Sequence, residues 1–368
     1  MPDIPDHIDR AHNFYAGPAT LPVKALERAR EEFMNFKGQK ISVLEISHRS
    51  DEWEETVAEC EERIRNLLDI PENYHVLFLQ GGASTQFAMI PMNLAGDGGP
   101  VQMVHTGRWS EKKKTELDIL DVDVDVVASS EDTNYDRIPE FDQNQLNPDA
   151  SYFHICSNET IGGVQWHRFP ETGEIPLVAD MSSDIMSRPI DVSRFGLIYA
   201  GAQKNIGPAG CTLVIIRDDL VDRTPDNVPT MLRYDTHVKK DSMHNTPPVF
   251  TIYMINQVMK YLEEEGGLEQ VQQRNERKAS MIYNIIDESS FYTGAADPDS
   301  RSRMNVTFRL PSEQLEEQFV AEATEQGLVG LKGHRTVGGC RASIYNSLPV
   351  ESVQVLVDFM NEFEREHA

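Results

Sequence analysis

The central part of the chain alternates short apolar runs with helix-length segments, and this alternation restricts the fold more than any other feature. Strands separated by segments long enough for a helix favour a largely parallel sheet covered on both faces. The predicted fold class is therefore α/β, with ligands bound at the carboxyl ends of the strands. Seven strands are predicted, at Tyr74–Gln80, Pro100–Gly107, Val122–Ala128, Ser151–Ser157, Ile175–Ser182, Gly196–Ala202 and Cys211–Arg217.

After about Tyr261 the pattern changes. It predicts two long amphipathic helices, a strand, a helix, a second strand and a closing helix, at 249–267, 268–289, 302–310, 311–327, 340–346 and 349–366. This order indicates a smaller C-terminal α+β domain. We predict a large domain at 14–264 and a small domain at 265–368, which also takes in residues 1–13. The boundary between them is expected at 262–268, at or inside a long helix.

The chain of 368 residues carries a formal net charge of −26. That charge argues against a nucleic-acid partner, because no basic stripe offsets the repulsion of phosphates. The apolar runs are only as long as strands, so no membrane span is predicted. The first 17 residues lack a basic region followed by an apolar one, so we expect no secretory signal and a cytoplasmic location.

The cysteines are far apart in the sequence and form no CxxC pair. We therefore predict no disulfide framework and no metal site. Buried free thiols in a reducing compartment are the expectation for all four of them, Cys60, Cys156, Cys211 and Cys340.

One lysine stands between two glycine turns in Gly201–Gly210, directly after the predicted strand Gly196–Ala202. Partial burial at the edge of a sheet would lower the pKa of Lys204 and leave a neutral amine as a nucleophile. Schiff-base chemistry requires such an amine. The alternative is an ordinary surface lysine in a turn.

A carboxylate, Asp180, ends the preceding apolar run Ile175–Ser182. A carboxylate at that position is costly unless it has a cationic partner, and an N-cap role is the alternative. Pyridoxal phosphate needs both groups: a lysine for its aldehyde, and an acid that keeps its ring nitrogen protonated. Two consecutive strand ends would place Asp180 and Lys204 at opposite edges of one ring.

Two further segments are consistent with such a cofactor. Gln80–Met89 has two glycines and small hydroxyl residues between a strand and a helix, where exposed N–H groups bind anions. The segment lacks the ending of a P-loop and the spacing of a dinucleotide fingerprint. Trp109 follows another predicted strand, where it is either a core residue or a platform for a flat ring.

Together these segments resemble the phosphoserine aminotransferases, pyridoxal-phosphate enzymes of fold type I in the class-V aminotransferase group. The resemblance covers nearly the whole chain, in family order, through segments such as NFYAGPATLP, EISHRS, TGRWSEKK, SNETIGGVQ and NTPPVFTIYM. Its most specific parts are Asp180–Gly210 and Gly333–Asn346.

The resemblance implies pyridoxal phosphate as cofactor and a homodimer with shared active sites. It implies transamination of 3-phosphooxypyruvate with glutamate, which yields phosphoserine and 2-oxoglutarate in serine biosynthesis. Bacterial relatives also act on 3-hydroxy-2-oxo-4-phosphooxybutanoate in pyridoxal phosphate biosynthesis, and the same role is expected here.

The resemblance also implies residue roles. Lys204 would bond to the cofactor and move a proton, Asp180 would pair with the pyridine nitrogen, and Trp109 would stack on the ring. The remaining implied contacts are Thr160 with the ring's phenolic oxygen, Ala83, Ser84 and Gln203 with the phosphate, Asn245 and Thr246 with the phosphate in the other subunit, and His48, Arg49, His334 and Arg335 with the anionic substrate.

The chain departs from some relatives in the segment expected to bind the phosphate. Some relatives carry Gly-Arg where this chain has Ala83-Ser84, so neutral donors would hold the phosphate here. Arg335 is assigned to the α-carboxylate, because an arginine fork grips a carboxylate through two hydrogen bonds. His48 and Arg49 follow Ser42–Ser47, which is predicted as strand-like. Surface ion pairs are the alternative for each arginine.

Other functions remain open on the sequence. A cysteine desulfurase or an alanine–glyoxylate transaminase would keep the cofactor and change the reaction. A desulfurase needs a reactive cysteine on a mobile loop, whereas Cys340 lies in a predicted turn into a strand. A non-catalytic acidic α/β binding protein would be colourless, and borohydride would leave it unmodified.

Overall fold

The computed structural model describes residues 10–96 and 98–368. Residues 1–9 lie outside this description. They make up most of the first 17 residues, where no secretory signal is expected, and most of residues 1–13, which are predicted to join the small domain. The α-helices are α1 Val23–Glu32, α2 Asp51–Leu68, α3 Gly82–Leu94, α4 Arg108–Ile119, α5 Asp218–Val221, α6 Tyr234–Val238, α7 Val249–Glu264, α8 Gly267–Glu288, α9 Glu313–Glu325 and α10 Val350–His367.

The strands alternate with these helices in the first two thirds of the chain and are shorter and fewer after α8. They are β1 His12–Asn13, β2 Tyr74–Leu79, β3 Val101–His105, β4 Val124–Ser129, β5 Tyr152–Cys156, β6 Asn158–Glu159, β7 Val164–Gln165, β8 Leu177–Asp180, β9 Leu197–Gly201, β10 Thr212–Arg217, β11 Thr293–Gly294, β12 Asn305–Arg309, β13 Leu328–Val329 and β14 Cys340–Ser343.

All seven strands predicted in the central region form one sheet, in the order β2-β10-β9-β8-β5-β3-β4. Strand β10 is antiparallel to both of its neighbours, and the pairs from β9 through β4 are parallel. The connection between β9 and β10 spans only residues 202–211, which is too short for a crossover helix, so the chain returns antiparallel. The predicted α/β class is confirmed.

Both faces of this sheet are covered. On one face, Trp53 and Ile64 of α2 and Ile255 of α7 pack in one core with Phe153 and Ala179 of the sheet. On the other face, a separate core joins α3 and α4 to β3 and β5, through Phe87, Ile90, Leu117, Met103 and Tyr152. Because helices cover both sides, the central strands are apolar along their whole length rather than alternating.

The C-terminal part has its own core. Strands β11, β12 and β14 form a three-stranded sheet, against which α8, α9 and α10 pack through Ile282, Phe319 and Phe359. The predicted order of strand, helix, strand and helix is observed as β12, α9, β14 and α10. Strand β1 pairs with β13, so the described N-terminal residues join this part. The domain boundaries themselves stay a prediction.

One local prediction is wrong. The segment Ser42–Ser47 is a series of turns rather than a strand. Its buried apolar residues, Val43 and Ile46, are three apart, and the side chain of Glu45 accepts a hydrogen bond from the Ser42 N–H at 2.9 Å. That bond closes the segment on itself and removes a donor that a strand would offer to a neighbour.

The four cysteines are buried, as predicted. Among the described residues, no helix combines the length and the apolar composition needed to cross a membrane.

Candidate active site

Asp180 and the turn that carries Lys204 lie at the same edge of the central sheet. Strand β8 ends at Asp180 and the parallel strand β9 ends at Gly201, with Asp180 in register with Tyr199. The turn after β9 is closed by the Gly207 N–H, which donates to Ala202 O at 2.9 Å. Consecutive parallel strands thus bring the two groups together, as the sequence predicted.

The amine of Lys204 points into a pocket. Its Nζ donates to Thr160 Oγ1 at 2.6 Å and lies 5.2 Å from the centre of the Trp109 ring. Burial lowers the pKa of the Lys204 amine, although Asp180 acts to raise it. The lysine of the sequence prediction is therefore no ordinary surface lysine.

Gly17 lies against the stem of this lysine. Its φ is +135°, and a Cβ added there would lie 3.2 Å from Lys204 Cγ. A side chain at Gly17 would both strain the backbone and press on the lysine. The N-terminal segment therefore forms one wall of the pocket.

Asp180 is 5% exposed, and the Ser182 N–H donates to its Oδ1 at 2.9 Å. Burial raises the pKa of the Asp180 carboxyl, while Ser182 and Lys204 act to lower it. Residues 181–187 form turns rather than an α-helix, so the N-cap alternative does not hold. Burial disfavours the ionised form of a carboxyl group, and a cation placed beside the group stabilises that ionised form.

Ala83 and Ser84 occupy the first turn of α3, where the backbone N–H groups have no partner within the helix. The helix begins after Gly81, whose φ is +90°. A Cβ at Gly81 would lie 2.0 Å from Thr85 Oγ1, so only glycine fits this turn. Ser84 is exposed, and the helix start is open to an anion.

Asn245 and Thr246 lie beside this same loop of their own chain. Gln80, which precedes Gly81, donates through Nε2 to Thr246 O at 3.0 Å. Thr246 is exposed and Asn245 is half-buried. Their expected contact with a cofactor in another subunit stays a prediction.

The pocket around Lys204 has a volume of about 260 Å³. We call it the lysine pocket. Its lining includes Trp109, Thr160, Gln203, Lys204, His334 and Arg335 of the predicted set, together with Ala16, Gly17, Arg108, Lys112, Ile161, Thr336 and Arg341. Five cationic side chains besides histidine therefore surround one small volume.

Sequence reasoning missed Arg108 and Lys112. Both lie on α4, which begins at Arg108 directly after β3, and the spacing of four residues puts them on one face of the helix. Lys112 Nζ lies 4.3 Å from the centre of the Trp109 ring. The available signal was this i, i+4 pair of cations at the end of a predicted strand.

Arg341 is the partly buried arginine of the lysine pocket. Its Nη1 donates to Thr160 O at 3.3 Å, and its Nε is buried without a hydrogen-bond partner among the described residues. Burial lowers the pKa of the Arg341 guanidinium, and Arg341 in turn lowers the pKa of the Lys204 amine. Sequence reasoning gave this residue no role in the site.

His334 and Arg335 lie on the loop before β14, with Arg335 exposed. His334 Nδ1 is 2.8 Å from Thr336 Oγ1. Burial lowers the pKa of the His334 imidazole, and the charges of Arg341 and Arg335 lower it further. The loop therefore adds to a local positive field on a chain of strongly negative net charge.

His48 and Arg49 lie outside the lysine pocket. They precede α2, where Ser50 caps the helix, and Arg49 is exposed. Neither residue lines the pocket in the single chain. The structure thus leaves these two predicted residues apart from the rest of the site.

A further residue that sequence reasoning missed is Glu159, which is 1% exposed. Its carboxylate accepts hydrogen bonds from Trp109 N at 3.0 Å, Ser110 N at 3.0 Å and Ser110 Oγ at 2.9 Å. These bonds cap the start of α4 and fix the backbone of Trp109. The signal for it was a charged residue directly before Thr160.

The residues present fit pyridoxal phosphate. Lys204 offers an amine for an aldehyde, Asp180 a carboxylate for a protonated ring nitrogen, and Trp109 an indole for a flat ring. The Thr160 hydroxyl, already 2.6 Å from the amine, can also meet a ring oxygen. The open first turn of α3 suits a phosphate.

The chain is similar to known proteins over almost its whole length. The class-V aminotransferase family matches residues 11–356. A phosphoserine aminotransferase from Niallia circulans is 55% identical over 357 residues, which are 97% of this chain and 98% of that protein.

Two solved structures show the same likeness. The phosphoserine aminotransferase from Bacillus circulans subsp. alkalophilus is 54% identical with a TM-score of 0.95, covering 98% of this chain and 99% of its own. A PLP-bound phosphoserine aminotransferase from Trichomonas vaginalis is 41% identical with a TM-score of 0.91, covering 96% of this chain and 100% of its own. The chain therefore belongs to the phosphoserine aminotransferase family, within the class-V aminotransferases.

Proposed function

We propose that the chain transfers an amino group between glutamate and 3-phosphooxypyruvate, producing phosphoserine and 2-oxoglutarate for serine biosynthesis. The observation that carries this proposal is that Lys204 and Asp180 lie at adjacent strand ends, with the amine of Lys204 in a pocket rich in cations. The second phosphorylated substrate, 3-hydroxy-2-oxo-4-phosphooxybutanoate, has the same anionic groups and is proposed with it.

Pyridoxal phosphate is the cofactor, and when bound it supplies an electron sink for a carbanion at the substrate Cα. Lys204 then moves the proton at Cα, since its amine is held in the pocket with a lowered pKa. Asp180 keeps negative charge beside the ring nitrogen. Trp109 would cover the ring, Thr160 would meet the ring oxygen, and the first turn of α3 with Gln203 would hold the phosphate.

The substrates are anions, and the chain as a whole repels them at long range. Local cations act at short range, where burial lowers the dielectric constant. We assign Arg341 to the α-carboxylate, because it is the arginine that acts on the Lys204 amine and contacts Thr160. This assignment replaces Arg335, which is exposed on the loop before β14 and suits the distal phosphate together with His334.

We also propose a homodimer with shared sites. Asn245, Thr246, His48 and Arg49 would act on the site of a second copy, which agrees with their position outside the lysine pocket. Exposed apolar side chains in the segment between α1 and α2, which also carries Arg49, support an interface there: Met34 is 73% exposed and Leu44 is 55% exposed. A cytoplasmic location is proposed because buried free thiols suit a reducing compartment.

The alternative functions have less support. The thiol of Cys340 is 2% exposed and burial raises its pKa, so it lacks the reactive thiolate of a desulfurase. Alanine and glyoxylate each carry a single carboxylate, so most of the cations around the lysine pocket would then have no substrate charge to bind. A non-catalytic binding protein would leave the lowered pKa of Lys204 without a use.

The test is borohydride reduction of the purified protein, followed by peptide mapping and by an assay with phosphoserine and 2-oxoglutarate. A phosphopyridoxyl group on the peptide that contains Lys204, with turnover of phosphoserine, is expected. A Lys204→Ala variant that keeps its thermal stability is the control, and it should lose both signals. An unmodified Lys204 peptide in a cofactor-loaded sample would contradict the proposed role of Lys204 in binding the cofactor. A labelled peptide without phosphoserine turnover would contradict the proposed substrate.

A further inference from the structure

The residue after the catalytic lysine is a buried asparagine. Asn205 is 3% exposed. Its Nδ2 donates to Ile185 O at 3.1 Å and to Ser183 O at 3.4 Å. Both carbonyls belong to the turns that follow Asp180, so this one amide joins the turn of the lysine to the segment of its carboxylate.

Two more buried asparagines stand behind it. The Asn346 N–H donates to Asn205 Oδ1 at 3.1 Å, and Asn346 Nδ2 donates to Met186 O at 2.8 Å. Asn275 of α8 donates to Asn346 Oδ1 at 2.8 Å and to Ser187 O at 3.1 Å. We call Asn205, Asn275 and Asn346 the asparagine cluster.

A buried cation holds the segment to which Asn346 belongs. Lys278 lies one turn after Asn275 on α8, and its ammonium donates to Ile344 O at 2.9 Å, Tyr345 O at 2.6 Å and Leu348 O at 3.2 Å. An ammonium has three N–H donors, so all of them are used. Tyr345 in turn donates to Ala16 O at 2.8 Å, next to Gly17 in the wall of the lysine pocket.

We propose that Asn205 is a positioning residue for Lys204, which holds the turn of the lysine at a set place relative to Asp180. The asparagine cluster and Lys278 connect that position to α8 and to the segment after β14. This inference rests on the proposed function. Both amide groups of Asn205 are bonded, whereas Asn275 Oδ1 has no partner among the described residues. A buried amide with both groups bonded favours a single arrangement, because each lost partner leaves an unsatisfied polar group.

The test uses Asn205→Asp, which keeps the shape and replaces the donating Nδ2 with an oxygen facing two carbonyls. The chain offers a matched control in Asn93, which is 0% exposed and whose Nδ2 donates to Met89 O and Leu232 O at 2.7 Å each. Asn93 lies about 16 Å along α3 from the first turn of that helix. Asn93→Asp imposes the same electrostatic change away from Lys204.

Two readouts separate positioning from general stability: the rate at which the apoprotein captures pyridoxal phosphate, and the pH midpoint of the visible absorbance of the holoenzyme. Both variants should lose thermal stability. Only Asn205→Asp should slow capture, by about tenfold or more, and shift the pH midpoint. Equal behaviour of the two variants in both readouts would overturn the proposal.

A second variant keeps the test decisive if Asn205→Asp does not fold. Asn346→Ala leaves its backbone N–H on Asn205 but removes the bonds to Met186 and Asn275. Capture about threefold slower than wild type is expected, and unchanged capture and pH midpoint would overturn the proposal. Failure of the wild type to capture the cofactor, or to turn over phosphoserine, would instead count against the proposed function.

Discussion

At the scale of single residues, the site depends on groups whose protonation is shifted by burial. The pKa of the Lys204 amine is lowered and that of the Asp180 carboxyl is raised, each first of all by desolvation. These shifts suit pyridoxal phosphate. A neutral amine can react with its aldehyde, and a buried carboxylate is stabilised by the protonated ring nitrogen. The two arginines of the lysine pocket also differ in burial, since Arg341 is partly buried whereas Arg335 is exposed.

This difference predicts different effects of removing the two arginines. Arg341→Ala should lower kcat/KM about 100-fold for both glutamate and phosphoserine, because both donors carry an α-carboxylate. Arg335→Ala should raise KM for both donors through their distal anions, and more for phosphoserine, whose phosphate carries more charge than the distal carboxylate of glutamate. Steady-state kinetics with each donor measures this, and a larger loss of glutamate turnover in Arg335→Ala would return the α-carboxylate to Arg335.

At the scale of secondary-structure elements, helix ends form much of the site. The first turn of α3 provides N–H groups for a phosphate, and the start of α4, capped by Glu159, holds Trp109, Arg108 and Lys112. Helix α8 holds the asparagine cluster through Asn275 and Lys278. These elements place the cofactor site at the carboxyl edge of the sheet, as in other α/β proteins.

The turn before α3 gives a test of the phosphate site. Gly81→Ala should weaken binding of pyridoxal phosphate at least about tenfold, because its Cβ would collide with Thr85 in the turn that starts the helix. Gly38→Ala is the control: Gly38 has a φ of +80° and open space around it, so it bears the backbone strain alone. Cofactor titration followed by absorbance measures both, and equal weakening would argue against a phosphate at α3.

Lys278 predicts a pH dependence of stability. Burial lowers its pKa to about 7, from about 10.4 in an unfolded chain. Below pH 7 both states hold the proton, and the cost of burying the charge is fully present. Between pH 7 and 10 the unfolded state binds more protons, so the free energy of unfolding should rise by about 1 kcal/mol per pH unit.

Chemical denaturation of the wild type and of Lys278→Met at pH 7 and pH 9 isolates this contribution, since other titrating groups cancel in the difference. The wild type should gain stability relative to the variant as the pH rises. A constant difference would mean that the three carbonyl acceptors keep Lys278 protonated throughout.

At the scale of the whole molecule, a single chain leaves the predicted site divided. Six of the thirteen predicted residues line the lysine pocket, whereas His48 and Arg49 lie away from it. A chain of net charge −26 also has to bind anionic substrates through the local cations of that pocket. A dimer that adds Arg49 of a second copy to each pocket would resolve the division and increase the local positive charge.

Mixing two inactive variants tests the shared site. A heterodimer of Lys204→Ala and Arg49→Ala has one pocket with a native Lys204 and with the native Arg49 supplied by the other subunit. The second pocket lacks both residues. Activity should recover to about a quarter of the wild-type value after subunit exchange, because half of the dimers then carry one native site. No recovery, with exchange confirmed by mass, would place Arg49 and Lys204 in the same subunit's site or remove Arg49 from the site.

The sequence by itself determined the seven strands of the central sheet, the order of elements after α8, and the meeting of Lys204 with Asp180, because these depend on local apolar periodicity and on where consecutive parallel strands end. Trp109 was singled out by its place after a predicted strand and Thr160 by the family resemblance alone, and the structure brings both to the amine.

Only the tertiary structure decided the remainder. Arg108 and Lys112 lie at the start of α4, and Arg341 lies on β14, near the other end of the chain. These elements meet at one pocket, and nothing in the local pattern signals such a contact. The same holds for the asparagine cluster, whose hydrogen-bonded pairs are 71 and 141 residues apart in sequence. Long-range contacts of this kind depend on how the elements pack, which local periodicity does not encode.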